Sequence, residues 1–280
     1  MTSTKPNTAV AWDRAAGGWD RNTALIRAWL AEANEAMLDA ASIGPRMRVL
    51  DVAAGAGDQT IDIARRVGPA GAVMATDISP RMVALAMENL RRDGLPWVDV
   101  RVADAQALGL DGAGFDGAIC RLGLMFCTDP PAALAGILGA LAPGGRFAAL
   151  VFSNRDANPC LSIMNRIARR HAGLPADASP PPGSLLSLGR PGLLAEMLAA
   201  AGFHDVAVRP MAVPFHVPNC VEYLAFVRSA GSPIIDLLAP LRPAQQQQAW
   251  DEIAGELDQF TTAEGWQGPN ELLLCCCSRQ

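Results

Sequence analysis

A short loop of small residues lies between two carboxylates in the first quarter of the chain. The segment VLDVAAGAGDQT, residues 49–60, runs from an apolar stretch through Ala53–Gly57 into a helical pattern. Because the loop residues carry little or no side chain, a ligand can approach their backbone closely. The N-terminus of the following helix adds free N–H groups and a partial positive charge. Asp51 and Asp58 flank the loop and would repel a pyrophosphate, so a ligand with a cationic amino group is favoured.

Two further carboxylates occupy equivalent places on the next two predicted strands. Asp77 ends one apolar segment, and Asp104 follows the next, with the small residue Ala105 directly after it. A carboxylate at the first place can accept both hydroxyls of a ribose. A carboxylate at the second can accept the exocyclic amine of adenine, and Ala105 leaves room for the ring. Carboxylates and a glycine loop at successive strand ends are the polar groups that an adenosyl amino acid requires.

A dinucleotide site is the main competing interpretation. Its G-x-G-x-x-G pattern needs a third glycine where this chain has Thr60, and Asp77 does not separate the two ligands because dinucleotide folds share it. The pair Asp104 and Ala105 favours the adenosyl amino acid. An NAD(P)-linked oxidoreductase and a non-catalytic cofactor-binding protein on the same fold remain as alternative hypotheses.

Regular alternation of strand and helix patterns must position these residues. The strands predicted between residues 46 and 152 are Arg48–Ala53, Ala72–Asp77, Val98–Ala103, Asp116–Arg121 and Arg146–Phe152. Alternation at this spacing predicts a parallel sheet with right-handed crossovers, and the near-continuous apolar character of the strands indicates helices on both faces. Later patterns predict a sixth strand over Asp205–Val213 and a seventh over Glu271–Cys277.

Other segments predict helices and a loop outside the sheet. Helical patterns cover Asp13–Ala41, Asn158–His171 and Arg190–Ala201, and two or three short helices are expected within Tyr223–Phe260. The stretch Gly173–Gly183 is rich in Pro and Ala and is expected to be a loop.

Composition excludes several classes of protein. Half of the 280 residues are apolar and 18% are charged, which argues against a disordered chain. The formal net charge is −5, so no basic excess supports nucleic-acid binding. No uninterrupted apolar run approaches the ~20 residues of a membrane span.

The seven cysteines give little support to a metal or disulfide site. None sits in a CxxC pair, their number is odd, and the polar start Met1–Asn7 has no apolar signal region, which together predict a reduced, cytoplasmic setting without a zinc site. The triplet Cys275–Cys277 follows three leucines and is interpreted as part of a buried strand in which cysteine acts as a small hydrophobic residue. Binding of a soft metal or metalloid is the alternative.

The chain resembles the class I S-adenosylmethionine-dependent methyltransferases, and more closely their ubiquinone/menaquinone C-methyltransferase-like group of small-molecule enzymes. The matching segments, in order, are VLDVAAGAGDQT (49–60), ATDISPRMV (75–83), ADAQAL (103–108), FDGAICRLGLMF (115–126) and LAPGGRFAAL (141–150). The resemblance implies a Rossmann-like methyltransferase fold with a mostly parallel seven-stranded sheet and S-adenosylmethionine as cofactor.

The resemblance also implies roles for individual residues. Asp51 would orient the loop near the methionine amino group, and Asp77 would bind the ribose. Asp104 would bind the adenine amine. The remaining implied cofactor contacts are Ala53, Gly55, Ala56 and Gly57 in the loop, Ile78, Met82 and Ala105 near the adenine, and Arg121 and Leu122 at the methionine end.

The methyl acceptor is expected to bind among the segments outside the first five strands. Trp12 and Trp19 are seven residues apart and share one helix face, so they either pack on the core or cover the acceptor; Met125 and Phe126 are the other candidate contacts. The low charge of these segments favours a small apolar or aromatic acceptor. A general base is needed only if the acceptor must lose a proton, and His216 and His171 are the weak candidates for it.

The organisation predicted from these patterns is a helical lid over residues 1–45 and a methyltransferase domain over 46–280. Helical cap insertions are expected at about 154–190 and 214–262. The expected partner is a small-molecule methyl acceptor, with neither nucleic acid nor a membrane span, and a homodimer is possible.

Overall fold

The computed structural model describes residues 8–175, 179–230 and 233–280. Its regular elements, in chain order, are α1 (Thr8–Arg21), α2 (Thr23–Ala40), β1 (Arg48–Val52), α3 (Asp58–Val67), β2 (Ala72–Asp77), α4 (Pro80–Arg92), β3 (Asp99–Val102), β4 (Phe115–Arg121), α5 (Pro130–Ala140), β5 (Leu141–Phe152), α6 (Pro159–His171), α7 (Leu193–Ala200), β6 (His204–Ala212), β7 (Phe215–Val217), α8 (Cys220–Ser229), α9 (Pro233–Leu238), α10 (Pro243–Leu257), β8 (Thr261–Thr262), β9 (Gly265–Gly268) and β10 (Glu271–Ser278). Short 3-10 helices cover Ala105–Ala107, Leu124–Phe126 and Asp258–Phe260.

Seven strands form one sheet in the order β3-β2-β1-β4-β5-β10-β6. Neighbours from β3 to β5 pair in parallel, whereas β10 pairs antiparallel with both β5 and β6. β1 and β4 are buried almost throughout, as expected for strands covered by helices on both faces. The predicted mostly parallel seven-stranded sheet is confirmed.

Helices near the functional edge of the sheet begin where local sequence dictates. Ser79 accepts a hydrogen bond from the Met82 N–H, and Pro80 follows at the first helical position of α4. Asp129 caps α5 in the same way, ahead of Pro130. α3 begins after Gly57, whose φ of +86° is the left-handed conformation that favours glycine.

Strand boundaries differ from the predictions mainly at β5. This strand was expected to begin at Arg146, after a turn at residues 143–145, but it begins at Leu141. The backbones of Gly144 and Gly145 exchange hydrogen bonds with Arg279. Gly144 has a φ of +80°, and the register with β4 shifts between the pairs Phe115–Leu141 and Gly117–Arg146, so the strand is irregular where proline and glycine predicted a turn. The expected single helical block Asp13–Ala41 is two helices, α1 and α2, which are separated at Asn22.

Segments around 154–190 and 214–262 build a second apolar core beside the sheet. It contains residues of α6, α8, α9 and α10, with Trp266 fully buried among them. The short helices expected within Tyr223–Phe260 are present as α8, α9 and α10. Two strands were not expected in residues 214–262: β7 and β8 pair with β9 in a three-stranded sheet. These strands are too short to show a period-two pattern. The expected loop Gly173–Gly183 includes residues 176–178, which lie outside the described residues.

The cysteine triplet lies in β10, between β5 and β6. Cys275 and Cys277 are buried, Cys276 is half-buried, and the cysteines are free thiols. Among the described residues no group of His, Cys, Asp and Glu is arranged to hold a metal ion. The interpretation of the triplet as a buried strand is therefore confirmed.

None of the helices in the described part of the chain combines the length and the apolar character needed to cross a membrane.

Close backbone packing between α1 and the end of α8 generates a stability prediction. A Cβ added to Gly18 would lie 1.6 Å from the Ser229 carbonyl oxygen, whereas one added to Gly17 would meet only flexible arginine side chains. We expect Gly18→Ala to lower the free energy of unfolding by about 1–3 kcal/mol, because backbone must move to admit the methyl group. Urea denaturation measures the effect.

Gly17→Ala is the matched control on the same helix. Alanine is favoured over glycine in a helix interior by about 1 kcal/mol, so this variant should unfold at the same or higher urea concentration. Equal destabilisation by both substitutions would contradict the close contact between α1 and α8.

Candidate functional site

Loops after β1, β2, β3 and β4 meet at one edge of the sheet, under α1 and α2. Parallel strands place their carboxyl ends together, and crevices at such an edge are the usual ligand sites of open α/β sheets. The pocket here encloses about 970 Å³, including the part that is open to solvent. Its lining residues are Thr8, Trp12, Trp19, Thr23, Ile26, Leu30, Ala53, Ala54, Gly55, Ala56, Asp58, Gln59, Asp77, Ile78, Met82, Ala103, Asp104, Ala105, Gln106, Arg121, Leu122, Gly123, Phe126 and Cys127.

Asp77 joins the loop after β1 to the start of α4. Its Oδ2 accepts a hydrogen bond from the Gly55 N–H at 2.9 Å, and its Oδ1 accepts one from the Ser79 N–H at 2.9 Å. Burial raises the pKa of this carboxyl, and the two N–H donors oppose the rise. The side chain lines the pocket, so its carboxylate both holds the loop and presents an acceptor to a ligand.

The loop after β1 leaves space for a ligand. A Cβ added to Gly55, which has a φ of +58°, would meet no atom within 4 Å. Ala53 and Leu122 also have left-handed backbones, with φ of +58° and +56°. Non-glycine residues rarely adopt this conformation, and its persistence at two positions that line one pocket is typical of ligand sites. Gly123 is needed beneath them, because a Cβ there would lie 2.4 Å from the Ala53 Cβ.

Asp51 lies behind the loop and does not line the pocket. Its carboxylate is fully buried and accepts hydrogen bonds from Gln59 Nε2 and Thr60 Oγ1, both at 2.6 Å. Burial raises its pKa to about 7, although these two donors pull the pKa down. Asp51 therefore connects the first turn of α3 to the end of β1 through these two hydrogen bonds. Gly57 supports the loop as well, because a Cβ added to it would contact the Ala86 Cβ at 3.1 Å.

Asp104 and Ala105 line the part of the pocket beyond β3. Asp104 accepts a hydrogen bond from the Gln106 N–H at 2.9 Å and so begins the short 3-10 helix. The Gln106 side chain in turn accepts from the Asp129 N–H at 2.7 Å, which ties this corner to α5. Ile78 and Met82 line the same pocket from the start of α4.

A buried ion pair lies at the α3 end of the pocket. Arg121 Nη2 and Asp58 Oδ2 are 2.5 Å apart, and the two side chains are 5% and 14% exposed. Arg121 also donates to Asn34 at 3.4 Å, and the Asp58 carbonyl accepts from Arg27 at 2.8 Å. Both members of the pair line the pocket, so this end presents one cation and one carboxylate.

Aromatic rings cover the pocket from α1 and from the 3-10 helix after β4. Trp12 lies 4.9 Å from Phe126 and 6.2 Å from Trp19, measured between ring centroids, and all three rings line the pocket. Trp19 also donates to the Ala230 carbonyl at 2.9 Å, so it packs on the cap as well. Met125 does not line the pocket, because its side chain is buried in the core around the sheet.

The two candidate bases are outside this pocket. His171, at the end of α6, has its Nε2 2.9 Å from Glu252 Oε2. His216 is exposed on β7, in the three-stranded sheet. Neither lines the pocket, and the sequence could not show this, because the strands that carry His216 away were not recognised.

Several lining residues were not identified from the sequence. Thr23, Ile26 and Leu30 line the pocket from one face of α2, and Gln59 and Gln106 line it beside the expected carboxylates. The spacing of the three α2 residues is typical of one helix face and was the available signal. This spacing did not single out the three residues, because α2 has a broad apolar surface and most of that surface packs on the sheet.

Comparisons with known proteins match the part of the chain that contains the first five strands. Residues 49–145 match a sequence family described as a methyltransferase domain. The ubiquinone/menaquinone biosynthesis C-methyltransferase of Pasteurella multocida is 36% identical over 129 residues, which are 46% of this chain and 48% of that enzyme. The chain spans about half the length of the curated relatives it matches.

Solved structures with the same fold cover more of the chain. The YcgJ protein from Bacillus subtilis has a TM-score of 0.62 at 17% identity, over 89% of this chain and 99% of that one. Phosphoethanolamine N-methyltransferase 2 of Haemonchus contortus, in complex with S-adenosyl-L-methionine, has a TM-score of 0.62 at 16% identity, over 100% and 62%. The predicted Rossmann-like fold is confirmed. The resemblance to methyltransferases is supported over residues 49–145, whereas the NAD(P)-linked alternative gains no support.

The raised pKa of Asp51 predicts a specific pH dependence of stability. Because the native state holds this proton up to about pH 7 and the unfolded chain releases it near pH 4, stability falls as pH rises through that window. We expect Asp51→Asn to remove this part of the fall, since a carboxamide can accept from Gln59 and donate to Thr60. Urea denaturation of both proteins between pH 4.5 and 8 measures the difference in their free energies of unfolding. This difference should grow in favour of the variant as the pH rises. A difference that does not change with pH would contradict the assignment.

The ion pair between Asp58 and Arg121 predicts unequal costs for removing its members. Asp58→Asn leaves a guanidinium buried without its counter-charge, and breaking a buried pair costs about 3–5 kcal/mol. Arg121→Met should cost less, because the Asp58 carboxylate keeps some solvent and lies at the N-terminus of α3. Chemical denaturation of the two variants tests the order, and a larger cost for Arg121→Met would contradict it.

Proposed function

We propose that this chain is an S-adenosylmethionine-dependent methyltransferase that acts on a small apolar or aromatic organic acceptor. The observation that carries the proposal is one pocket at the carboxyl ends of four strands. It combines the two carboxylates Asp77 and Asp104 with an open glycine loop, and its cover is made of aromatic rings. The methyltransferase family match over residues 49–145 supports the same assignment.

The cofactor contacts follow from the chemistry of the lining residues. Asp77 would accept the ribose hydroxyls, and Asp104 would accept the adenine amine, with Ile78 and Met82 against the ring. The open space beside Gly55 would receive the centre of the molecule. Asp51 and Gly57 would act from behind the loop, since they are packed against the protein interior.

The ion pair at the other end suits the amino-acid part of the cofactor. An amino acid carries one carboxylate and one ammonium group, and Arg121 and Asp58 present the complementary charges side by side. Binding of an amino acid here would also explain why an ion pair is buried beside a pocket. The charged groups of the ligand would offset the cost of removing Arg121 and Asp58 from water.

S-adenosylmethionine, when bound, supplies an activated methyl group on its sulfonium sulfur. Transfer of that group needs the acceptor held in line and water excluded, and orientation of this kind can supply a large share of the catalysis. Trp12, Trp19 and Phe126 would cover the acceptor, while Ile26 and Leu30 would give it an apolar wall. These contacts favour an apolar or aromatic acceptor over a phosphorylated one.

The pocket wall offers little for removing a proton from an acceptor. Its titratable side chains, among the described residues, are Asp58, Asp77, Asp104, Arg121 and Cys127. Burial and the nearby carboxylates Asp104 and Asp129 raise the pKa of Cys127 to about 12, so its thiol is a poor base near neutral pH. We propose that positioning, rather than a histidine base, is the main contribution of this chain.

Calorimetry with S-adenosylhomocysteine tests the cofactor site. We expect Asp77→Asn to weaken binding by about tenfold or more, because hydrogen bonds to a charged group contribute about 1.5–3 kcal/mol. Asp39→Asn is the matched control, since this exposed carboxylate pairs only with Arg66 on the surface and should leave affinity unchanged. Unchanged affinity in Asp77→Asn, or no binding by the wild-type protein, would refute the assignment.

Turnover tests the reaction itself. Incubation with methyl-labelled S-adenosylmethionine and a panel of quinol, phenol, amine and thiol acceptors should transfer label to at least one apolar or aromatic compound. Tight cofactor binding without transfer to any acceptor would instead favour a non-catalytic protein. The homodimer and the cytoplasmic setting stay predictions; sedimentation velocity would check the first and fractionation of the native cells the second.

A further inference from the structure

Asp13, on α1, makes a contact that the sequence gave no reason to expect. Its Oδ1 accepts hydrogen bonds from the Ser79 Oγ and, at 3.2 Å, from the Arg81 N–H. Both donors are at the N-terminus of α4, where a carboxylate is favoured by the helix dipole. These hydrogen bonds lower the pKa of Asp13, so it is a carboxylate at neutral pH.

Ser79 connects Asp13 to the carboxylate at the end of β2. Its backbone N–H donates to Asp77 Oδ1 at 2.9 Å, its side chain donates to Asp13, and its Oγ accepts from the Met82 N–H. Ser79 itself is fully buried, whereas Asp13 is half-buried. Ser79 therefore contacts Asp77 with its backbone and Asp13, on a different element, with its side chain.

The same stretch of α1 forms the wall of the pocket. Trp12 precedes Asp13, lines the pocket and contacts Phe126. A single turn of α1 therefore carries one ring of the aromatic cover, Trp12, and the carboxylate that contacts Ser79.

We propose that Asp13 is a positioning residue that couples the placement of α1 over the pocket to the binding geometry of Asp77. With Asp13 in place, Ser79 holds Asp77 toward Gly55 and the pocket; a ligand that engages Asp77 in turn stabilises α1 in its covering position. Such coupling is reciprocal by linkage. The ligand side of this inference rests on the proposed function, whereas the coupling between α1 and the loop does not.

The chain offers a matched control for α1 itself. Asp20 lies on the same helix and accepts a hydrogen bond from Asn89 of α4 at 3.1 Å, but it does not contact Ser79 or Asp77. Asp20→Ala therefore loosens the same pair of helices without touching the proposed connection. Asp13→Asn, which keeps an acceptor oxygen for Ser79, is the conservative variant.

The first measurement is ligand-free amide hydrogen exchange of the full chain. In Asp13→Ala we expect faster exchange at the Gly55 and Ser79 amides, which donate to Asp77. We also expect faster exchange at the amides of α1. Asp20→Ala should accelerate exchange in α1 but not at those two amides, and Asp13→Asn should restore part of the protection. Unchanged exchange at Gly55 and Ser79 in Asp13→Ala would overturn the proposal whatever the ligand is.

The second measurement compares S-adenosylhomocysteine with its 2′-deoxy analogue. Asp13→Ala should weaken binding of S-adenosylhomocysteine by about tenfold. It should weaken binding of the 2′-deoxy analogue by less, because that ligand already lacks one of the hydroxyls that would contact Asp77. Asp20→Ala should weaken both equally. Equal losses for the two ligands in Asp13→Ala would overturn the coupling to the ribose site, whereas absence of binding by the wild type would refute the proposed function and leave the exchange result to decide the coupling.

Discussion

The Asp77 carboxylate, with its two backbone donors, is the interaction on which the site depends. A carboxylate at the end of a buried strand pays a desolvation cost, and the Gly55 and Ser79 amides offset it. Because these amides belong to different segments, satisfying one charge fixes the loop after β1 and the start of α4 together. The hydrogen bonds to the Asp77 carboxylate therefore determine where the loop after β1 lies. The small glycine and alanine residues of the loop determine its shape.

Asp51 makes the same kind of connection one strand away, but with a different result. It is fully enclosed and its donors are side chains, so burial outweighs them and its pKa rises to about 7. Asp51 therefore supports the first turn of α3 from outside the pocket, whereas Asp77 lines it. Asp51 and Asp77 lie at the ends of neighbouring strands but have different surroundings. Asp51 is therefore a structural support, whereas Asp77 is a hydrogen-bond acceptor that faces the pocket.

The sequence predicted those features that repeat along the chain or follow from local residue types. β2 was predicted with its observed bounds and Asp77 at its end, because alternation and apolar runs are local signals. The three-residue β7 is stabilised by pairing with β9, a distant segment, and no local pattern could reveal it. His216 therefore remained a candidate base. The N-terminal helices were expected to cover the pocket, but the α2 residues that line it, Thr23, Ile26 and Leu30, were not identified.

The apolar side chains of the described residues pack in separate clusters rather than in one core. The core around the sheet contains the strands that end in Asp77 and Asp104, whereas α6, α8, α9 and α10 pack in a core of their own. α1 contributes Ala16 to a small third cluster with Ala56 and Met82. It also contacts neighbouring elements, since Trp19 donates to the Ala230 carbonyl after α8 and Asp13 accepts from Ser79 before α4. A change that displaces α1 would therefore alter the aromatic cover through Trp12 and, through Asp13 and Ser79, the surroundings of Asp77.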